Sequence, residues 1–313
     1  MKGMEIDMQG VAVTRPRQSG WSYLKRNYQG YLLMLPYLLV FFTFTVWPVI
    51  SAIGLSFTSY NVFESPKFLG FDNYVQLFFT DSVFPIALKN TFLLAIVVGP
   101  LSYFLSLFLA WCVNEFKNPW KTILTVIFYL PTLSQATFTI WLIVFDGDIY
   151  GYLNSFLLKL GAITEPIQWL RDPTYMMMVV IIVQLWVSLG TSFLTLRAGF
   201  NTVDKQYYEA AAMDGVKNRF QELWYITLPM MVPHLLLSAI LAITNTFTTA
   251  TVATAMTGFP SVNYATHTLM HHLQDFAFIR YERGYASAIA TVLFLFSLFA
   301  NKFSQKLIGK VGK

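Results

Sequence analysis

Six stretches of this chain contain no Asp, Glu, Lys or Arg: residues 27–63, 90–114, 122–145, 173–196, 223–274 and 284–301. A helix of about 20 residues crosses a hydrocarbon core about 30 Å thick, so each stretch can hold a membrane span. The fifth is long enough for two. Its second half, however, carries Gly258, Pro260, Asn263 and three His, which reads as an outer loop with a short helix. The expected fold is therefore an all-α membrane protein with six transmembrane helices, near residues 28–57, 87–113, 120–145, 174–196, 228–255 and 284–301. Only 12% of the residues are charged, about half the usual share of a soluble domain. The first apolar run is long and contains Pro36 and Trp47-Pro48, so it is read as a retained span and not a short cleaved leader.

Orientation follows from the cations. With the N-terminus placed in the cytoplasm, six of the 21 Lys and Arg fall outside: Lys67, Lys89, Lys159, Arg171, Arg280 and Arg283. The other fifteen lie inside, and the positive-inside rule puts both termini in the cytoplasm. The net charge of +5 is explained by this bias and calls for no nucleic acid. The single Cys112 excludes an intrachain disulfide.

The most informative polar segment, residues 201–229, then faces the cytoplasm between the fourth and fifth spans. It contains Tyr208-Glu209-Ala210-Ala211-Ala212-Met213-Asp214-Gly215, and later Ile226-Thr227-Leu228-Pro229. Asp204 suits an N-cap, the run from Gln206 is rich in helix formers, and Gly215 suits a left-handed C-terminal position. A second short helix is expected near Phe220–Thr227, with Pro229 opening the next span. Glu209 and Asp214 stand roughly 140° apart around such a helix, so they cannot both face one partner squarely. The residues alone allow two readings, a surface hairpin that docks a partner or a passive connector.

These residues resemble the EAA loop of binding-protein-dependent ABC importer permeases. The match runs through Glu209-Ala210-Ala211, Gly215 and Ile226-x-Leu228-Pro229, with one more residue between Gly215 and Ile226 than the family's usual spacing. Phe68-x-Gly70-x-x-Asn73-Tyr74 is similar to a stretch that follows the first span in the carbohydrate-uptake branch. The resemblance implies a coupling helix that inserts into a cleft of a cytoplasmic ATPase, through Glu209, Ala210, Ala211, Met213, Asp214 and Gly215. It further implies a second permease subunit forming a heterodimer, two ATPase subunits, an extracytoplasmic solute-binding protein, and a prokaryotic cytoplasmic membrane as the location. The chain then divides into a cytoplasmic tail 1–26, a six-helix permease domain 27–301 and a basic cytoplasmic tail 302–313.

Two uncharged polar groups flank the loop. Gln184 and Ser188 share one helix face at i, i+4; Asn245, Thr248 and Thr249 form a stripe at i, i+3, i+4. Hydrogen bonding between helices explains single hydroxyls, while a stripe opposite a polar pair suggests hydroxyl-recognising groups lining a cavity; the resemblance implies that these two spans carry the sugar contacts. The polar residues near Pro131 read as packing, and Asp146-Gly147-Asp148 has too few carboxylates for a calcium site. His267 and His271 lie at i, i+4 without a carboxylate in ligand register, which favours an interfacial helix over a metal site. Asp72 is expected to cap a short helix carrying Tyr74, Leu77 and Phe78.

There is no P-loop, no nucleophile elbow and no acid–base pair within a span, so no enzyme and no cofactor is expected. A charge inside the bilayer costs about 2.5–3.5 kcal/mol and marks ion pathways. None is present, which speaks against the alternative of an ion-coupled secondary carrier or channel.

Overall fold

The computed structural model describes residues 28–134, 137–248 and 250–309, without the side chain of Thr248. The expected tail 1–26, Thr249 and the last residues of the basic tail lie outside the described residues. The chain divides into two compact units, Met1–Ser51 and Ala52–Lys313. In the first, the apolar helix that begins at Tyr28 changes to a π turn at Phe42–Val46.

Apolar helices dominate, as the charge-free stretches require. Tyr28–Leu55, Phe84–Glu115, Pro173–Phe200 and Arg283–Ile308 are each long and apolar enough to cross a membrane. Arg219–Met230 and Val232–Phe247, bent by 82°, make a fifth if taken together. The stretch expected as the third span is broken into Trp120–Tyr129, a 3-10 turn at Leu130–Thr132, and Phe138–Val144. Pro131 brings no N–H to the helix ladder. Thr132 and Thr137 hydroxyls donate to the carbonyls of Tyr129 and Ser134 at 2.7 and 2.6 Å, which takes up groups the break sets free. Gly190 lets the fourth long stretch approach here, because a Cβ at that position would overlap the Thr132 side chain.

Small residues make up much of one buried helix face. On Phe84–Glu115 the buried residues include Ala87, Gly99, Ser102, Ser106 and Ala110, while Ile96, Phe104 and Phe108 are exposed. Small residues let helix backbones approach closely where lipid supplies no hydrophobic drive between helices. One interhelical bond marks the seam: the Ser106 hydroxyl donates to the Leu189 carbonyl at 3.1 Å.

A short antiparallel ribbon, Thr58 opposite Phe68 and Ser59 opposite Lys67, is the one sheet among the described residues. The Phe68–Tyr74 stretch folds onto it. Gly70 has φ 61°. The buried Asn73 amide donates to the Ser56 and Thr58 carbonyls at 2.8 and 3.0 Å, and the Tyr74 hydroxyl lies 2.7 Å from Ser56 Oγ. Asp72 does not act as the cap expected of it. Phe71 occupies the N-cap position without a side-chain bond, and Asp72 is the first residue of helix Asp72–Val75, where its charge still favours the helix N-terminus.

The last long helix is fixed to this ribbon at Gly284, whose N–H donates to the Tyr60 carbonyl at 2.9 Å. A Cβ at Gly284 would run into the Thr58 backbone carbonyl, which cannot swing aside as a side chain can. Gly284→Ala should lower stability by about 1–3 kcal/mol. Thermal unfolding of the detergent-solubilised protein, followed by tryptophan fluorescence, checks this.

Candidate functional site

The polar loop begins with a capped helix. The Asp204 carboxylate accepts from the Gln206 N–H at 3.1 Å, and helix Lys205–Met213 follows. At its end Gly215 has φ 93°, a conformation that costs a residue with a Cβ about 1 kcal/mol or more. The Gly215 and Val216 N–H groups donate to the Ala212 and Ala211 carbonyls at 3.4 and 3.0 Å. These are the two bonds of a Schellman ending.

The faces of this helix differ. Met213 is 88% exposed and Ala211 only 9%. Glu209, Ala210, Ala212 and Asp214 are exposed as well, whereas Tyr208 turns inward and its hydroxyl lies 2.9 Å from Thr227 Oγ1. Of the six residues singled out in the sequence, Ala211 therefore packs against the protein, and the other five stand at the surface.

The second half of the loop is longer than expected. Asn218 caps it by accepting from the Gln221 N–H at 2.8 Å, and the helix runs through a π turn at Leu223–Thr227 to Met230. The helix does not break at Pro229. The chain turns by 82° between Met230 and Val232, because the ring of Pro233 in a continuous helix would strike the carbonyl four residues back. Met231 at the corner is fully buried. A Cβ on Gly199 would lie 2.8 Å from Met231 Cε and 2.9 Å from His234 Cβ, so the corner sits directly on the Pro173–Phe200 helix.

A cleft of about 550 Å³ lies beside the hairpin, bordered by Lys121, Lys205, Glu209, Arg219 and Glu222. Arg219 closes one wall through Glu222 at 2.7 Å and Glu115 at 3.4 Å. Both pairs are largely exposed to solvent and contribute little stability.

Farther along, Gln184 donates to Ser188 Oγ at 3.1 Å, and both residues are buried. Asn245 is half-buried on Val232–Thr248. The two helices meet where the Ser238 hydroxyl donates to the Ser192 carbonyl at 3.4 Å. Among the described residues no hydrogen bond joins Asn245 to the Gln184–Ser188 pair. The Thr248 side chain and Thr249 lie outside the described residues.

Residues 102–310 match the family described as binding-protein-dependent transport system inner membrane component. The chain belongs to this family. It is 34% identical over 280 residues to the probable ABC transporter permease protein YesP of Bacillus subtilis (strain 168), covering 87% of each chain. It is 30% identical to the lactose transport system permease protein LacF of Rhizobium radiobacter, covering 88% of this chain and 92% of that one. A solved bacterial ABC transporter involved in the import of the acidic polysaccharide alginate shares the fold, with a TM-score of 0.73 at 21% identity over 94% of this chain and 99% of that one. The protein is thus an ABC-importer permease, a multi-pass membrane subunit and not an enzyme.

The permease holds a second polar cluster that sequence reasoning missed. Asp81 Oδ1 accepts from the Val83 and Phe84 N–H groups at 2.8 and 3.1 Å, capping the long helix. Its Oδ2 accepts from the Tyr285 hydroxyl at 2.7 Å and from His272 Nε2 at 2.8 Å. Burial raises the Asp81 pKa, but these four partners outweigh it and hold the carboxyl below its usual value. Nearly two hundred residues separate Asp81 from His272, so no local pattern announces the pair.

The His residues do not form the i, i+4 helical pair considered above. His267 precedes the helix, and Thr268 caps Leu269–Gln274 in a capping box closed by His271. His271 Nδ1 accepts from the Thr268 N–H at 3.1 Å, so in the neutral ring Nε2 carries the proton and donates to Thr254 Oγ1 at 3.0 Å. His267 stacks on Phe259 with ring centroids 5.8 Å apart, and among the described residues neither of its ring nitrogens has a hydrogen-bond partner. Burial, reinforced by repulsion from His271 and His272, pushes His267 down to about 3; burial pushes His271 down to about 4.

Both groups take up protons more readily when unfolded, so their linkage lowers stability as pH falls from about 6.5 toward those folded values. Thermal unfolding in detergent should show a lower midpoint at pH 5 than at pH 7.5. His267→Phe, which removes two unpartnered buried nitrogens and keeps the stack, should fold normally and reduce that difference.

Proposed function

We propose that the permease is one half of the membrane channel of an ATP-driven importer for a sugar or oligosaccharide, and that helix Lys205–Met213 is the element docking its ATPase. The observation that carries this reading is a doubly capped helix presenting Glu209, Ala210 and Met213 outward at the family's EAA position. The small Ala210 and Ala212 side chains leave room for a partner groove to approach the backbone. Asp214 and Gly215 set where the helix ends and so fix what it presents.

Six spans are proposed, with the broken Trp120–Phe145 stretch as the third and with both termini and the docking hairpin in the cytoplasm. The Lys and Arg distribution supports this orientation. A second permease completes the channel in a heteromeric pair, and two ATPase subunits, each docked on one permease hairpin, supply the free energy.

Gln184, Ser188, Asn245, Thr248 and Thr249 are proposed to line the sugar pathway. Neutral amides and hydroxyls suit sugar hydroxyls, and the names of two relatives, the lactose permease above and the arabinooligosaccharides transport system permease protein AraP of Bacillus subtilis (strain 168), support a carbohydrate. A solute-binding protein on the outer face is supported by a solved alginate ABC transporter in complex with a pentasaccharide-bound periplasmic protein.

Glu209→Lys reverses charge at the centre of the docking face. A hot-spot residue contributes about 2 kcal/mol or more to an interface, so capture of the ATPase subunit by the tagged permease should fall roughly tenfold or more. The amount of chain in the membrane should not change. Undiminished capture, or sugar uptake that survives ATP depletion while the ion gradient is intact, would instead support an ion-coupled carrier.

A further inference from the structure

The docking helix and the arm Arg219–Met230 touch at a buried polar point. Tyr208 reaches from the inward face of the helix to Thr227, a residue 3% exposed. The two hydroxyls lie 2.9 Å apart. Thr227 Oγ1 also donates to the Glu222 carbonyl at 3.1 Å. A hydroxyl has one proton; with that of Thr227 committed to Glu222, the Tyr208 phenol is the donor to Thr227.

Among the described residues this is the only hydrogen bond between the docking helix and the arm. Its position matters more than its strength. Thr227 is the last residue of the π turn, and its carbonyl accepts from the Met231 N–H at 2.9 Å. Met231 is the fully buried corner of the 82° bend, seated on Gly199. A short chain of contacts therefore runs from Tyr208 through Thr227 to Met231, and so from the docking helix to the base of the fifth span. Tyr208 is also packed against the apolar cluster that includes Phe200, Leu223, Leu228 and Met231, so its ring is held while its hydroxyl makes the contact.

We propose that the Tyr208–Thr227 hydrogen bond is a strut that carries displacement of the docking helix into the bend, which makes Tyr208 a positioning residue for coupling. This rests on the reading of Lys205–Met213 as the ATPase-docking helix. Tyr208 is not on the outward face, so its role is to transmit the partner's push and not to bind the partner.

The test uses the complex purified from its own host with the tagged permease. Hydrogen–deuterium exchange is followed by mass spectrometry with and without Mg-ATP and orthovanadate, in peptides covering 205–213 and 228–240. In the wild type both regions should change. Tyr208→Phe and Thr227→Val should keep the ATPase subunit and the change in 205–213, while the change in 228–240 falls roughly fivefold, the low end of ordinary coupling free energies. Thr227→Ser should behave as wild type, and the double variant Tyr208→Phe/Thr227→Val should be no worse than either single one. Full transmission by Tyr208→Phe overturns the strut. So does loss of the ATPase subunit in that variant, since the contact would then serve folding or docking. If the wild-type permease captures no ATPase, the docking reading itself fails, and the strut with it.

Discussion

Hydrocarbon removes the main force that packs a soluble helix, because a lipid tail solvates Leu or Phe as well as another helix does. What remains is close backbone approach and satisfaction of polar groups. The permease uses both beside its buried apolar clusters. Gly190 admits Thr132, Gly199 admits Met231 and His234, and Gly284 admits the Thr58 carbonyl. Serine hydroxyls at 106 and 238 donate across to backbone carbonyls of the neighbouring helix. Many large apolar side chains stand outside, while others such as Phe84, Phe193 and Met176 fill the core.

The same constraint explains why breaks in the helices matter. A break in hydrocarbon exposes backbone groups that must find partners within the protein. The break at Pro131 finds them in Thr132 and Thr137. The corner at Met231 lies next to the hairpin of helix Lys205–Met213, where Thr227 still has the Tyr208 phenol within reach. Both breaks are thus served by local hydroxyls, whereas the start of the Phe84–Glu115 helix is tied by a single carboxylate. Asp81 gathers the start of one long helix, a histidine from the short outer helix and a tyrosine from the last span.

Much of this was legible in the residues. Charge-free runs located the apolar helices, and Asp204 and Gly215 located both ends of helix Lys205–Met213, because capping is a property of a few neighbouring residues. Less local features were not legible. Which face of Lys205–Met213 turns inward depends on Tyr208 finding Thr227, nineteen residues away. The helix continues through Pro229 and turns only at Met231, just before Pro233, a proline whose place the local pattern did not single out. The histidines suggested a helical ladder at i, i+4, yet Thr268 starts the helix one residue too late for His267 to join it.

The outer segment between Asp146 and Asp172 has a consequence of its own. One fully buried amide, Asn154, donates to the carbonyls of Asp146, Asp148 and Ile167, and accepts from the Ile167 N–H and the Trp169 indole. An excursion of this length would ordinarily be mobile. Here it is a preformed cassette tied to a single knot, and its acidic rim is already in place before anything meets it. A segment held in this way has little chain entropy left to lose when its rim is covered.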